Sequence, residues 1–242
     1  MKIVKDDYFW SSEDERTQVL QIFPDVHADE RGSFAEQWKI LDSEFQSTPW
    51  IQRESWVRQA NLSKSAKMVF RGCHAQSGKF CQAKLVTSIS GSIFDIITDM
   101  RPQSDTFCKT KVYFLNPNLQ NKIFVPRGFL HSFLTGAEDV EYIFQYMCDN
   151  VYSKASEVKV NPSGVALPSF AEYCSTYGLL SLLKEKITLS EEDTNGMDFG
   201  KFRDFVKKMW DEDGGLWYDD FDSPTSGSQN VTTEYVNDTE KQ

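Results

Sequence analysis

The stretch Val69–Gln76 reads "VFRGCHAQ" and sets a histidine, His74, three positions after Arg71 with Gly72 between them. Only three histidines occur in the 242 residues, so each position carries weight. Imidazole titrates near neutral pH and suits a base that removes a proton beside a carbonyl. That reaction also needs positive charge or hydrogen-bond donors where the enolate oxygen develops. Lys84, in "QAKLV", follows His74 by ten residues, a distance suited to the adjacent strand of a hairpin. On an ideal strand Arg71 and His74 face opposite sides. Gly72 offers the bend or bulge that would bring both to one rim. Spacing alone favours the plainer reading, an exposed Lys84 and a core histidine.

Metal chemistry is the main competing use of these residues. A metal-binding barrel usually brings two or three histidines and a carboxylate, often as His-x-His on one strand. His74 has no such neighbour, His131 stands alone in "FLHSF", and His27 precedes "ADERG". The expectation is a site without metal, although distant histidines and a carboxylate could still converge in space. The five cysteines (Cys73, Cys81, Cys108, Cys148, Cys174) are odd in number and form no CxxC pair. This suits reduced thiols in a cytosol better than disulfides or zinc.

The elements that must position these groups read as short strands between Thr17 and Asn161. Ile93–Met100, Lys111–Leu115, Lys122–Val125 and Glu141–Tyr146 are rich in β-branched and apolar residues. Turn formers, "NPNLQN" and "PRG", separate them. Many short strands at even spacing predict a sandwich or barrel. After Pro168 the composition turns helical: Ala171–Ile187 predicts one helix and Phe199–Trp210 a second, docked by Phe199, Phe202, Phe205 and Met209. The segment from Asp222 onward is polar and predicts a disordered tail. A formal charge of −10 argues against broad binding to nucleic acid or anionic membrane. No apolar run approaches the ~20 residues of a membrane-spanning helix. The start "MKIVKDDYFWSSEDER" lacks the apolar core of a secretory signal, so a cytoplasmic location is expected.

Four ordered blocks add to this reading: "DERGSFAEQW", "NLSKSAKMVFRGCHAQ", "QAKLVTSISGSIFDIITDMRPQSDTF" and "NKIFVPRGFLHSFLT". Together they resemble the dTDP-4-dehydrorhamnose 3,5-epimerase family, the metal-free sugar-nucleotide epimerases of the cupin class, over about Gln21 to Asn161. The resemblance implies that His74 is the base that removes the protons at C3 and C5 of a 4-keto-6-deoxyhexose. It implies that Asp193, in "LSEED", is its dyad carboxylate and that Lys84 lies near the sugar's C4 oxygen. Arg31, Glu36, Asn61, Arg71 and His131 match positions that line the sugar and nucleotide site, and Asp95 matches another pocket carboxylate. Arg31 and Arg71 would suit a diphosphate, which guanidinium groups pair bidentately.

Two departures stand out. The family returns a proton from a tyrosine on a late strand, and ungapped alignment of "VEYIF" puts Phe144 there. The downstream "DNVYS" requires a two-residue gap, which puts Tyr146 there instead. Tyr142, Phe144 and Tyr146 share one strand face by the period of two. The C-terminal third also departs, with "VKVNPSGVALPSF" and a helix where a tryptophan-containing strand is usual.

The expected fold is therefore mainly β, a cupin-type jelly-roll β-sandwich with C-terminal helices packed outside. The expected organisation is an epimerase domain over 1–198, an aromatic helix and acidic appendage over 199–221, and a tail over 222–242. The expected function is epimerisation at C3 and/or C5 of a nucleotide-linked 4-keto-6-deoxyhexose by a homodimer, without cofactor. The alternatives are a single-site epimerase or ketoisomerase, and a catalytically silent cupin that binds a sugar nucleotide.

Overall fold

The computed structural model describes residues 2–9, 19–37 and 57–213. Among them thirteen strands are present. One antiparallel sheet has the order β1 (Lys2–Lys5), β2 (Leu20–Phe23), β10 (Lys122–Val125), β7 (Lys84–Ser90), β12 (Tyr142–Cys148), β5 (Gln59–Ser65). The other has the order β13 (Glu157–Lys159), β6 (Phe70–Gln76), β11 (Phe129–Thr135), β8 (Ile93–Asp99), β9 (Thr110–Leu115). A separate hairpin, β3 (Val26–Asp29) with β4 (Gly32–Ala35), stands apart and is largely exposed. This is the expected mainly β jelly-roll sandwich, and the four strands named from composition are present with ends shifted by a few residues.

Alternation along the strands builds two apolar layers. Inward residues of both sheets, among them Val86, Ile97, Phe133 and Phe144, form the core between the sheets. Every residue of β8 is buried, because its other face is covered as well. There Phe70, Phe94, Ile96 and Leu130 pack under the C-terminal helices through Phe170, Cys174, Phe202 and Val206. A continuous apolar strand such as "IFDIITD" is the signature of burial on both faces.

The helices differ from expectation in their bounds. The predicted helix over Ala171–Ile187 is α1, Ala166–Thr176, followed by a separate 3-10 turn at Leu180–Lys184. It starts earlier because Pro168 falls in the first turn, where its missing N–H is not needed. It stops earlier because Gly178 adopts φ +71° and the Leu179 N–H turns back to the Cys174 carbonyl. Residues 191–194 (Glu191–Thr194) form the short helix α2, and Phe199–Asp213 form α3. The docking face of α3 is also corrected. Phe202 and Val206 are fully buried one turn apart, whereas Phe205 lies off that face and is exposed. The helix packs into the outer core, as a docked helix was expected to, while the expected tail beyond Asp222 lies outside the described residues. No helix among the described residues is long and apolar enough to cross a membrane.

Candidate active site

The odd spacing of Arg71 and His74 resolves into a bulge. On β11, His131 pairs with His74 and Phe133 with Arg71, so one residue, Ser132, faces both Gly72 and Cys73. The extra residue restores a common direction: Arg71 and His74 line one cleft, while Phe70, Cys73 and Ala75 turn to the outer core. Only glycine fits at the turning point. Gly72 has φ +118°, and a methyl there would lie 2.4 Å from Ser132 Cβ and 2.7 Å from the His131 carbonyl oxygen. Gly72→Ala is expected to cost about 3–5 kcal/mol from backbone strain and overpacking together. A urea-denaturation midpoint unchanged by the substitution would show that the bulge is not fixed in this way.

The cleft has a volume of about 630 Å³, and His74 lies in it. His74 Nε2 donates to Asp193 Oδ1 at 2.6 Å, joining residues 119 apart in the chain. Asp193 is placed by its own short helix, in which Ser190 is the N-cap and its hydroxyl accepts the Asp193 N–H at 3.0 Å. "LSEED" is thus a capping sequence that fixes where the carboxylate points. Burial pushes the Asp193 carboxyl up, but the hydrogen bond and charge of His74 outweigh it. Further hydrogen bonds from Ser190 and the Gly72 N–H help hold it below its usual value. The carboxylate is therefore ionised at neutral pH, and with Nε2 donating to it, Nδ1 is the basic nitrogen of His74.

Lys84, Phe144, Tyr146 and His131 line the same cleft from β7, β12 and β11. Among the described residues the Lys84 side chain makes no hydrogen bond or ion pair, and its Nζ lies 5.9 Å from the centre of the Tyr146 ring. Burial lowers its pKa, opposed by the nearby Cys148, Asp95 and Glu157. An unpaired ammonium of this kind is available to an oxygen that gains charge. Burial raises the Tyr146 phenol, which keeps its proton available for donation. Phe144 instead stacks on Phe133 at 4.3 Å and has no proton to give. His131 forms a second imidazole–carboxylate pair, with Nε2 at 2.7 Å from Asp95 Oδ1, and burial lowers its pKa. Asp95 thus touches the cleft through His131 and does not line it itself.

The remaining expected residues divide. Arg71 reaches the rim, where its Nε donates to Ser65 at 3.1 Å. Asn61, opposite Tyr146 on β5, lines an adjoining pocket of about 300 Å³ that also touches His74 and Lys84. Arg31 and Glu36 do not join the cleft within this chain. Arg31 lies in the exposed hairpin, paired with Asp29 and with 85% of its side chain exposed, and Glu36 follows the hairpin, also exposed. Among the described residues no group of three or more His, Cys, Asp or Glu side chains is arranged to hold a metal.

Comparison with known sequences adds the decisive observation. The sequence model of the dTDP-4-dehydrorhamnose 3,5-epimerase family matches residues 15–200. The chain belongs to that family. It is 37% identical over 139 residues to the dTDP-4-dehydrorhamnose 3,5-epimerase of Salmonella typhimurium, covering 57% of this chain and 73% of the relative. It is 34% identical over 177 residues to that of Escherichia coli, covering 72% and 90%. The crystal structure of dTDP-4-dehydrorhamnose 3,5-epimerase from Elizabethkingia anophelis superposes with a TM-score of 0.63 at 32% identity, over 83% of this chain and 97% of that one. A 4-keto-6-deoxy sugar epimerase from the novobiocin gene cluster of Streptomyces spheroides gives 0.66 at 26% identity, over 85% and 92%.

Three residues of this epimerase-family site were not legible beforehand. Glu157, Lys159 and Tyr152 border the cleft or its adjoining pocket. They come from the short β13 and the loop before it; Tyr152 and Lys159 fall in "DNVYS" and "VKVNPSGVALPSF", stretches where the chain departs from the family pattern, and no motif marks Glu157.

Proposed function

We propose that this chain epimerises C3 and/or C5 of a nucleotide-linked 4-keto-6-deoxyhexose. The observation that carries the reading is the His74–Asp193 pair at 2.6 Å in a cleft shared with Lys84 and Tyr146. His74 Nδ1 takes the proton alpha to the C4 ketone, and the C–H electron pair moves into an enolate. The Lys84 ammonium stabilises the charge on the C4 oxygen. Tyr146 then delivers a proton to the opposite face of the sugar, which inverts that carbon. The ketone itself acidifies both C–H bonds, so these proton-transfer groups and one counter-charge are sufficient for the chemistry. Each placed acid or base contributes about 10²–10⁴ in rate.

Arg71, Asn61 and His131 contact the sugar and diphosphate in this reading. Arg31 and Glu36 contribute to the site of a second subunit in an intertwined homodimer. Support comes from the hairpin, which projects Arg31 and leaves Phe34 71% exposed. The proposed location is cytoplasmic.

The test is incubation with dTDP-4-keto-6-deoxyglucose in deuterated water, read by NMR. Deuterium at both C3 and C5 with inversion is expected. Label at one carbon alone would make the chain a single-site epimerase, and no label would sink the reading.

A further inference from the structure

His74 carries a carboxylate on each side of its ring. Asp193 takes Nε2, and Glu157 Oε1 lies 3.8 Å from Nδ1 on the other side. Glu157 is placed by the pairing of β13 with β6, in which Glu157 faces Gln76 and Lys159 faces His74. Its other oxygen is doubly held: the Tyr152 hydroxyl donates to Oε2 at 2.9 Å, and Lys159 Nζ lies 3.3 Å from it. Lys159 is itself tied to Glu192 at the cleft mouth. The clamp on Oε2 leaves Oε1 turned toward the imidazole.

We infer that Glu157 is a positioning residue that stabilises the imidazolium formed when His74 takes a proton. The inference rests on the proton abstraction proposed above. At 3.8 Å the contact is longer than a hydrogen bond, so it acts through space. A substrate carbon can therefore approach Nδ1 without displacing a partner.

Opposite charge at this range favours the charged form of the base. The charges around His74 show why a second carboxylate has a use. Lys84 from β7, Arg71 on β6 and Lys159 from β13 are cations, and His131 faces it from β11. Lys84 has to be near the enolate oxygen, yet it opposes a second cation forming beside it. Asp193 and Glu157, on opposite edges of the ring, offset that repulsion, while the protonated Tyr146 from β12 adds no charge.

Glu157→Gln tests this, because the amide oxygen still accepts from Tyr152 while the charge is gone. The rising acid limb of kcat/KM marks loss of the proton from the base. A neighbouring carboxylate favours the protonated base, so its removal is expected to move the limb to lower pH. The plateau is expected to fall about 10-fold with KM nearly unchanged. An independent arm needs no substrate: diethyl pyrocarbonate modifies neutral imidazole, and modification of the His74 peptide is expected to begin at lower pH in Glu157→Gln. If that variant unfolds, Glu157→Asp, with its carboxylate withdrawn by one methylene, is expected to shift both readouts in the same direction by less.

An unmoved limb and unmoved modification in an active enzyme would overturn the inference alone. A rise in KM with the limb fixed would also overturn it, making Glu157 a substrate contact. A wild-type chain that shows no exchange but a shifted modification onset in the variant would sink the reaction and uphold the carboxylate's action on the ring.

Discussion

His74→Ala is expected to lower deuterium incorporation at C3 and C5, and inversion with it, by about 10²–10⁴-fold, the usual worth of a placed base. The substitution removes the nitrogen that the proposed reaction uses as its base. Asp193 does not replace it, because its carboxylate is held below its usual pKa and is a correspondingly weak base. Lys84 is not expected to replace it, since in the proposed reaction it faces the C4 oxygen beside Tyr146 rather than the carbon that loses its proton. The fold is expected to survive, because the ring is 31% exposed and the outer core under β6 is built from Phe70, Cys73 and Ala75 instead. NMR in deuterated water measures exchange, and a melting curve controls for unfolding. Full exchange in a folded His74→Ala chain would refute the assignment of the base.

Tyr146→Phe separates the two halves of the reaction. Base-side exchange continues, because His74 and Lys84 are untouched, whereas inversion is expected to fall by about 10²–10⁴-fold. The product is then substrate labelled at its original configuration. Phe144 gives the control its meaning: it lies two residues earlier on the same strand face, 5.6 Å from the Tyr146 ring, and it is the residue that alignment without a gap places at the family's tyrosine. Undiminished inversion in Tyr146→Phe would pass the role of acid to another donor.

The distribution of what was legible in the sequence follows physical range. Strands such as β8 and β10 declare themselves because a short run of β-branched and apolar residues is a local property. The common rim of Arg71 and His74 was legible as a possibility, since Gly72 signals a bulge, but its direction required the partner strand β11. Helix α1 was misplaced because the effects of Pro168 and Gly178 depend on position within the helix rather than on composition. Phe205 was misjudged because a short aromatic run has several possible faces, and tertiary packing selected the one through Phe202 and Val206. Asp193 was found through family resemblance alone, as nothing near it in the chain points to a histidine 119 residues away. Glu157 carried no local signal, because its relation to His74 is a register between two strands.

The distance in sequence between His74 and Asp193 also sets an order of events. A chain made from its N-terminus presents β1 to β13, the whole sandwich, before Ser190–Asp193 is available. The late segment is then secured by the pairing of Val69 with Thr188 and of Val160 with Met197. A nascent chain can thus hold all the sandwich strands and an undirected imidazole. The His74–Asp193 pair therefore closes only after the strands it sits on have been made, which makes turnover a reporter of the docking of the Ser190–Asp193 segment.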